Sequence, residues 1–164
     1  MEFINMINKL NKTDKNIKIY LDMDGTIVEN IFDLNRSFEK KGGYIKKRPI
    51  KPIVEQINTI IENYKNIEVI VLSCSSNDDM IEEKNEWIDI NIPNIKKENR
   101  VFLNREKGEY TKENMHEVKG KYIKNDISSN DIAVLIDDNN SVLKEFQKIV
   151  GHQAIPVHVT TLLL

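Results

Sequence analysis

Asp22 and Asp24 stand two residues apart directly after a short apolar run, residues 17–21, and a second acidic pair, Asp137-Asp138, follows another such run, residues 132–136. Carboxylates gathered from two strand ends make a cluster of negative charge that water alone does not stabilise. Their hard oxygen donors suit Mg2+. With a cation screening that charge, one carboxylate can attack phosphorus while a second protonates the departing alkoxide. We give these roles to Asp22 and Asp24 respectively. Gly25 permits a turn that would aim backbone donors at a bound phosphate. Ser73 follows a third apolar run, residues 67–72, and adds a hydroxyl to the same rim. Thr26 and Cys74, beside these residues, join Gly25 as expected substrate-binding positions. A thiol-nucleophile role for Cys74 is disfavoured, because no histidine lies near it in sequence and cysteine is commonly a small buried residue.

Such convergence needs a parallel sheet, which places the residue after each strand along one edge. Residues 17–21, 67–72, 101–103 and 132–136 read as buried parallel strands. Between them, Ile50, Ile53, Val54, Ile57, Ile60, Ile61 and Tyr64 fall at three- and four-residue spacing, as do Met80, Ile81, Lys84, Trp87 and Ile88. These are amphipathic helices packed on a sheet. Pro49 and Pro52 mark the start of the first, and Pro93 follows the second. Residues 119–127 and 142–150 are further helices, Gly151 is a stop, and residues 154–159 suit a last strand. Strand and helix alternate throughout, which predicts an α/β doubly wound parallel sheet. Residues 29–48 and 104–114 carry the weakest periodicity, and both follow strands on the ligand side of such folds.

Four features in order, Asp22-Met23-Asp24-Gly25-Thr26, Ser73, a downstream lysine and Asp137-Asp138, resemble the motifs of haloacid dehalogenase-type phosphatases. The resemblance implies a Rossmann-like HAD fold with Asp22 as nucleophile and metal ligand. It makes Asp24 the acid/base, ligating metal through its carbonyl, and Ser73 the holder of the phosphoryl group. Asp137 and Asp138 would complete the magnesium site. The lysine is Lys119 or Lys121, and Lys119 is preferred, with Lys121 left among the substrate-binding residues. Residues 104–109 with 117–119, and Trp87 in its helix, are similar to polynucleotide kinase 3′-phosphatase domains, which adds Arg105 as a phosphate-binding candidate. Arg36 and Arg48 lie where the family inserts a lid.

The chain's 164 residues suit one domain. The stretch at about 29–48 leaves room for a small flap or cap only, and family members without large lids often act on bulky or polymeric substrates. The absence of a Gly-x-x-x-x-Gly-Lys-Ser/Thr loop removes a kinase half. A nucleic-acid or nucleotide 3′-phosphate is therefore the first substrate expectation, with a small metabolite or 5′-nucleotide as the alternative. A net charge of −2, from 24 basic and 26 acidic residues, gives no overall basic footprint, so a polyanion must be gripped locally. Lys40, Lys41, Lys46, Lys47, Arg48 and Lys51 form one basic stretch. A phosphorylation-responsive receiver module is disfavoured by motif order, since receivers carry their acidic pair first. A single cysteine and no long apolar segment point to a cytoplasmic protein without a membrane span.

Overall fold

A computed structural model describes residues 2–164. Five strands, β1 (Asn16–Leu21), β2 (Ile67–Ser75), β3 (Arg100–Asn104), β4 (Asp131–Asp137) and β5 (Ala154–His158), pair in parallel in the order β3-β2-β1-β4-β5. Five α-helices accompany them: α1 (Glu2–Leu10), α2 (Lys51–Asn63), α3 (Asp78–Asn91), α4 (Val118–Asp126) and α5 (Asn140–Val150). This is a Rossmann-like α/β arrangement, as the alternating pattern predicts.

The central strands are apolar on both faces because each face carries helices. Ile19, Leu21, Val69, Val71, Val134 and Ile136 pack with Phe3 and Ile7 of α1, the apolar stripe of α2, and Trp87 and Ile88 of α3. The alternate residues Tyr20, Ile70, Leu72, Ala133 and Leu135 pack with Ile123 of α4 and Val142, Leu143 and Phe146 of α5. The chain runs outward from β1 through β2 to β3, then crosses to β4 and β5 on the other side. The carboxyl ends of β1 and β4 thus flank the point where strand order reverses, where such sheets hold ligands.

Two strands are longer than their apolar runs. β2 continues through Ser75 because β3 pairs with residues 71–75, so Ser73 lies inside the strand, opposite Phe102, and not after it. Asp137 likewise ends β4 within the ladder, opposite His158. Helix α1 is an element the sequence reading did not assign, and Phe3 and Ile7, four apart, bury its inner face.

The 29–48 stretch is not a loose loop. Its base is closed by an antiparallel bridge between Val28 and Pro49 and by the Glu29 and Ile50 amides, which donate to Arg48 and Ile27. Two 3-10 turns, Ser37–Glu39 and Tyr44–Lys46, follow within it. Helix α3 fastens the second: the Glu83 carboxylate accepts from the amides of Gly42 (2.5 Å) and Tyr44 (2.7 Å), and Trp87 Nε1 donates to the Lys47 carbonyl at 2.9 Å. No helix among the described residues is long and apolar enough to cross a membrane.

Candidate active site

Register alone brings the first two acids together. Leu21 pairs with Ile136, and the Asp22 amide continues the ladder onto the Ile136 carbonyl at 3.0 Å, so Asp22 and Asp137 leave adjacent strand ends side by side. Both are buried, at 7% and 1% exposure. Lys119, in the first turn of α4, fills the gap: its Nζ lies 2.6 Å from Asp22 Oδ1 and 2.6 Å from Asp137 Oδ2. Helix α4 can bring it there because Gly120 packs directly on α5, where a Cβ would stand 3.1 Å from the Phe146 Cα. Lys121 instead turns to solvent and pairs with Glu117 at 2.6 Å. Of the two lysines considered, Lys119 is the one against the acids.

Asp22, Asp137 and Asp138 can each offer a carboxylate oxygen within 4.8 Å of the others, and this group could hold a metal ion. The charge balance fits a cation. Burial pushes the Asp22 carboxyl up to about 6, and the charges of Asp137 and Asp24 add to that rise against the opposing pull of Lys119. Three carboxylates stand here with Lys119 on two of them, and all of the cluster's donors are hard oxygens. Asp138 is anchored through its backbone, whose carbonyl accepts from His158 Nε2 at 2.9 Å. The Thr160 amide donates to His158 Nδ1, which leaves Nε2 as the proton-bearing nitrogen. This contact of His158 with Asp138 was not legible from the sequence, where the signal was only a histidine at a strand end.

The turn after Asp22 differs from expectation in what it offers. The Gly25 amide donates to the Val28 carbonyl and the Thr26 amide to the Met23 carbonyl, so both are engaged within the turn. Gly25 serves another need: its φ is +81°, and a Cβ there would overlap Asp138 Oδ2. Thr26 is buried and directs its hydroxyl at Asp22 Oδ2, 3.3 Å away, where it orients the acid.

Asp24 lies on the other side of the turn, under the 29–48 segment. Lys47 Nζ is 2.9 Å from its Oδ1 and Lys84 Nζ 2.9 Å from its Oδ2. Burial alone would raise the Asp24 carboxyl, but Lys84 and then Lys47 outweigh it and hold the group down at about 2. Without substrate Asp24 is a carboxylate, the form that accepts a proton. Lys84 also reaches Ser73 Oγ and the Cys74 carbonyl, each at 2.8 Å, which joins the serine to the acid through one ammonium. Lys47 stood in the sequence only as one of a basic stretch able to grip a polyanion, and Lys84 only as a member of an apolar stripe where a lysine is out of place. Tyr44 is buried beneath both, its ring centre 4.6 Å from Lys47 Nζ and 5.3 Å from Lys84 Nζ.

Cys74 contributes its carbonyl, and burial pushes its thiol up from the ordinary value, which leaves it a poor nucleophile. Arg105 is exposed after the edge strand β3, two strands from β1, and is not brought to the acids. A cavity of about 300 Å³ adjoins Asp24, lined by Tyr44, Lys47, Ser75 and Lys84 among others. A larger cavity, about 680 Å³, lies at the opposite edge of the sheet around Asn16, Ile67 and Asp131, away from this chemistry.

No protein-family model matches the chain, and no curated protein sequence does. Among solved structures, a chain of the Pnkp1/Rnl/Hen1 RNA repair complex superposes with a TM-score of 0.61 at 18% identity. The match covers 90% of this chain and 44% of that one, so the present chain spans less than half of its neighbour's length. At that identity the likeness is one of fold.

Proposed function

We propose that the chain is a magnesium-dependent phosphomonoesterase of the haloacid dehalogenase type, acting on a nucleic-acid or nucleotide 3′-phosphate. The observation that carries this reading is the Lys119 ammonium held at 2.6 Å by both Asp22 and Asp137, with Asp138 completing a carboxylate group around it. It is the charge pattern of a site that receives a phosphoryl dianion beside a divalent cation. Residues 1–164 act as one HAD-like domain, with the 29–48 segment as its flap.

Asp22, Asp137 and Asp138, with the Asp24 carbonyl, would hold Mg2+, which when bound supplies charge neutralisation for the phosphoryl oxygens. Asp22 Oδ attacks phosphorus, the bond from phosphorus to the ester oxygen breaks, and Asp24, protonated from solvent once substrate is bound, delivers that proton to the leaving alkoxide. Water then attacks the aspartyl phosphate, Asp24 takes its proton, and inorganic phosphate leaves a restored carboxylate. Lys119 keeps Asp22 in its attacking orientation. Ser73 and Lys84 lie together where the transferring oxygens would rest. The acid role of Asp24 requires the substrate's anion to draw Lys84 and Lys47 away from it, since together they favour its ionised form.

The nucleic-acid preference is supported by the short flap and by the fold likeness to a chain of an RNA repair complex. The chemistry is tested by measuring phosphate release with Mg2+ from a 3′-phosphorylated oligonucleotide and from a sugar phosphate. Asp22→Asn is expected to lose at least a thousandfold in kcat, and undiminished turnover would remove Asp22 as nucleophile. A clear preference for the sugar phosphate would remove the substrate class.

A further inference from the structure

The cavity beside Asp24 is built for a second anion. Its inner wall carries two ammonium groups against one carboxylate, since Lys47 and Lys84 share Asp24. One positive charge is left over there. Ser75, 2% exposed, has a buried Oγ with no hydrogen-bond partner, and Tyr44, 1% exposed, brings its hydroxyl toward Asp24 without completing a hydrogen bond. Buried hydroxyls are nearly always satisfied, and two orphans on the wall of one cavity indicate a missing partner. Both can donate, and so can both ammoniums. Towards the rim Arg36 offsets Glu39 at 3.8 Å, while Asp33, which accepts from the Asn35 and Ser37 amides, keeps its negative charge, so the excess of positive charge is confined to the inner wall at Lys47 and Lys84.

Resting on the phosphatase reading, we propose that this cavity binds the phosphodiester one nucleotide in from the terminal phosphate, through Lys47, Ser75 and Tyr44. A volume of about 300 Å³ accommodates a sugar-phosphate unit and leaves its base outside. The rim provides for the base. Phe32, between the lining residues Ile31 and Asp33, is 91% exposed, and an aromatic ring beside a cationic groove is the arrangement on which bases of single strands stack. The preferred substrate is thus an oligonucleotide end, and mononucleotides fill only half of the site.

Binding to Asp22→Asn protein is measured by calorimetry for thymidine 3′-monophosphate, for the dinucleotide carrying a 3′-phosphate, and for a hexose bisphosphate. The dinucleotide is expected to bind at least tenfold more tightly than either. Lys47→Ala and Ser75→Ala each reduce its advantage over the mononucleotide below threefold, and Lys47→Arg retains it. A merely structural role would weaken both nucleotides equally. On unmodified protein the same preference is read as a tenfold lower KM for the dinucleotide, independent of whether any variant folds. Equal affinities, an advantage that survives Lys47→Ala, or a hexose bisphosphate bound as tightly would each overturn the proposal. If the wild type releases phosphate from no ester, the phosphatase reading fails, while the calorimetric preference still decides whether the cavity takes the phosphodiester.

Discussion

At the scale of single residues, the acid cluster depends on two positions with little chemistry of their own. Gly25→Ala would force a left-handed backbone on alanine, at about 1–2 kcal/mol, and would push the Asp138 carboxylate aside. Magnesium affinity, read by titrating activity against Mg2+, is expected to fall at least tenfold. Lys119→Met removes the cation between two buried carboxylates, and breaking a buried ion pair from one side costs about 3–5 kcal/mol. Thermal melts should therefore show a large loss in the variant, partly recovered by millimolar Mg2+, because a ligand that binds only the folded state stabilises it. Asp22, Asp137 and Asp138 were legible from sequence because each follows an apolar run. Lys119 was legible only as one of two, since two lysines two apart on a helix face opposite sides and the pattern there does not say which side is inward.

Among elements, α3 is the one whose role was least visible. Its sequence reads as an ordinary amphipathic helix whose apolar stripe puts Trp87 in the core. Trp87 is core, yet its indole also holds the Lys47 carbonyl, and the neighbouring Glu83 and Lys84 reach the flap backbone and Asp24. The signal was present as charged residues within an apolar stripe, but such residues are usually at the edge of a helix face with their heads in solvent. Glu83→Gln would weaken two charge-assisted bonds to the flap, about 1–3 kcal/mol together. Because the loss falls on a local fastening, trypsin cleavage at the exposed Lys40 and Lys41 is expected to accelerate at least fivefold. An unchanged cleavage rate would mean that Glu83 does not secure the segment.

For the molecule as a whole, the parallel sheet and the edge where its strand ends gather followed from alternation of strand and helix, because parallel strands buried on both faces leave little freedom in how their ends are used, whereas the order of the strands came only from the structure. Strand ends were less legible: β2 extends beyond its apolar run to Ser75, since its last residues are specified by pairing with β3 and not by their own side chains. Net charge bears on polymer binding. With a total of −2, the protein has no general field to attract a strand, so its grip should be confined to the terminal phosphate and one more. Two phosphates on a single strand predict a salt slope of about −1.4 in log affinity against log salt. Fluorescence anisotropy of a labelled 3′-phosphorylated strand checks this, and a slope of −4 or steeper would require further contacts.

The Gly42 and Tyr44 amides make no hydrogen bond of a helix or strand ladder, and both end on the two oxygens of one carboxylate, Glu83. Their exchange with deuterium is therefore governed by a single side chain letting go. The next residue in α3, Lys84, holds Asp24. Exchange at these two amides should accordingly act as a clock for the step in which the flap lifts from the helix that also grips Asp24, and substrate should slow both by the same factor.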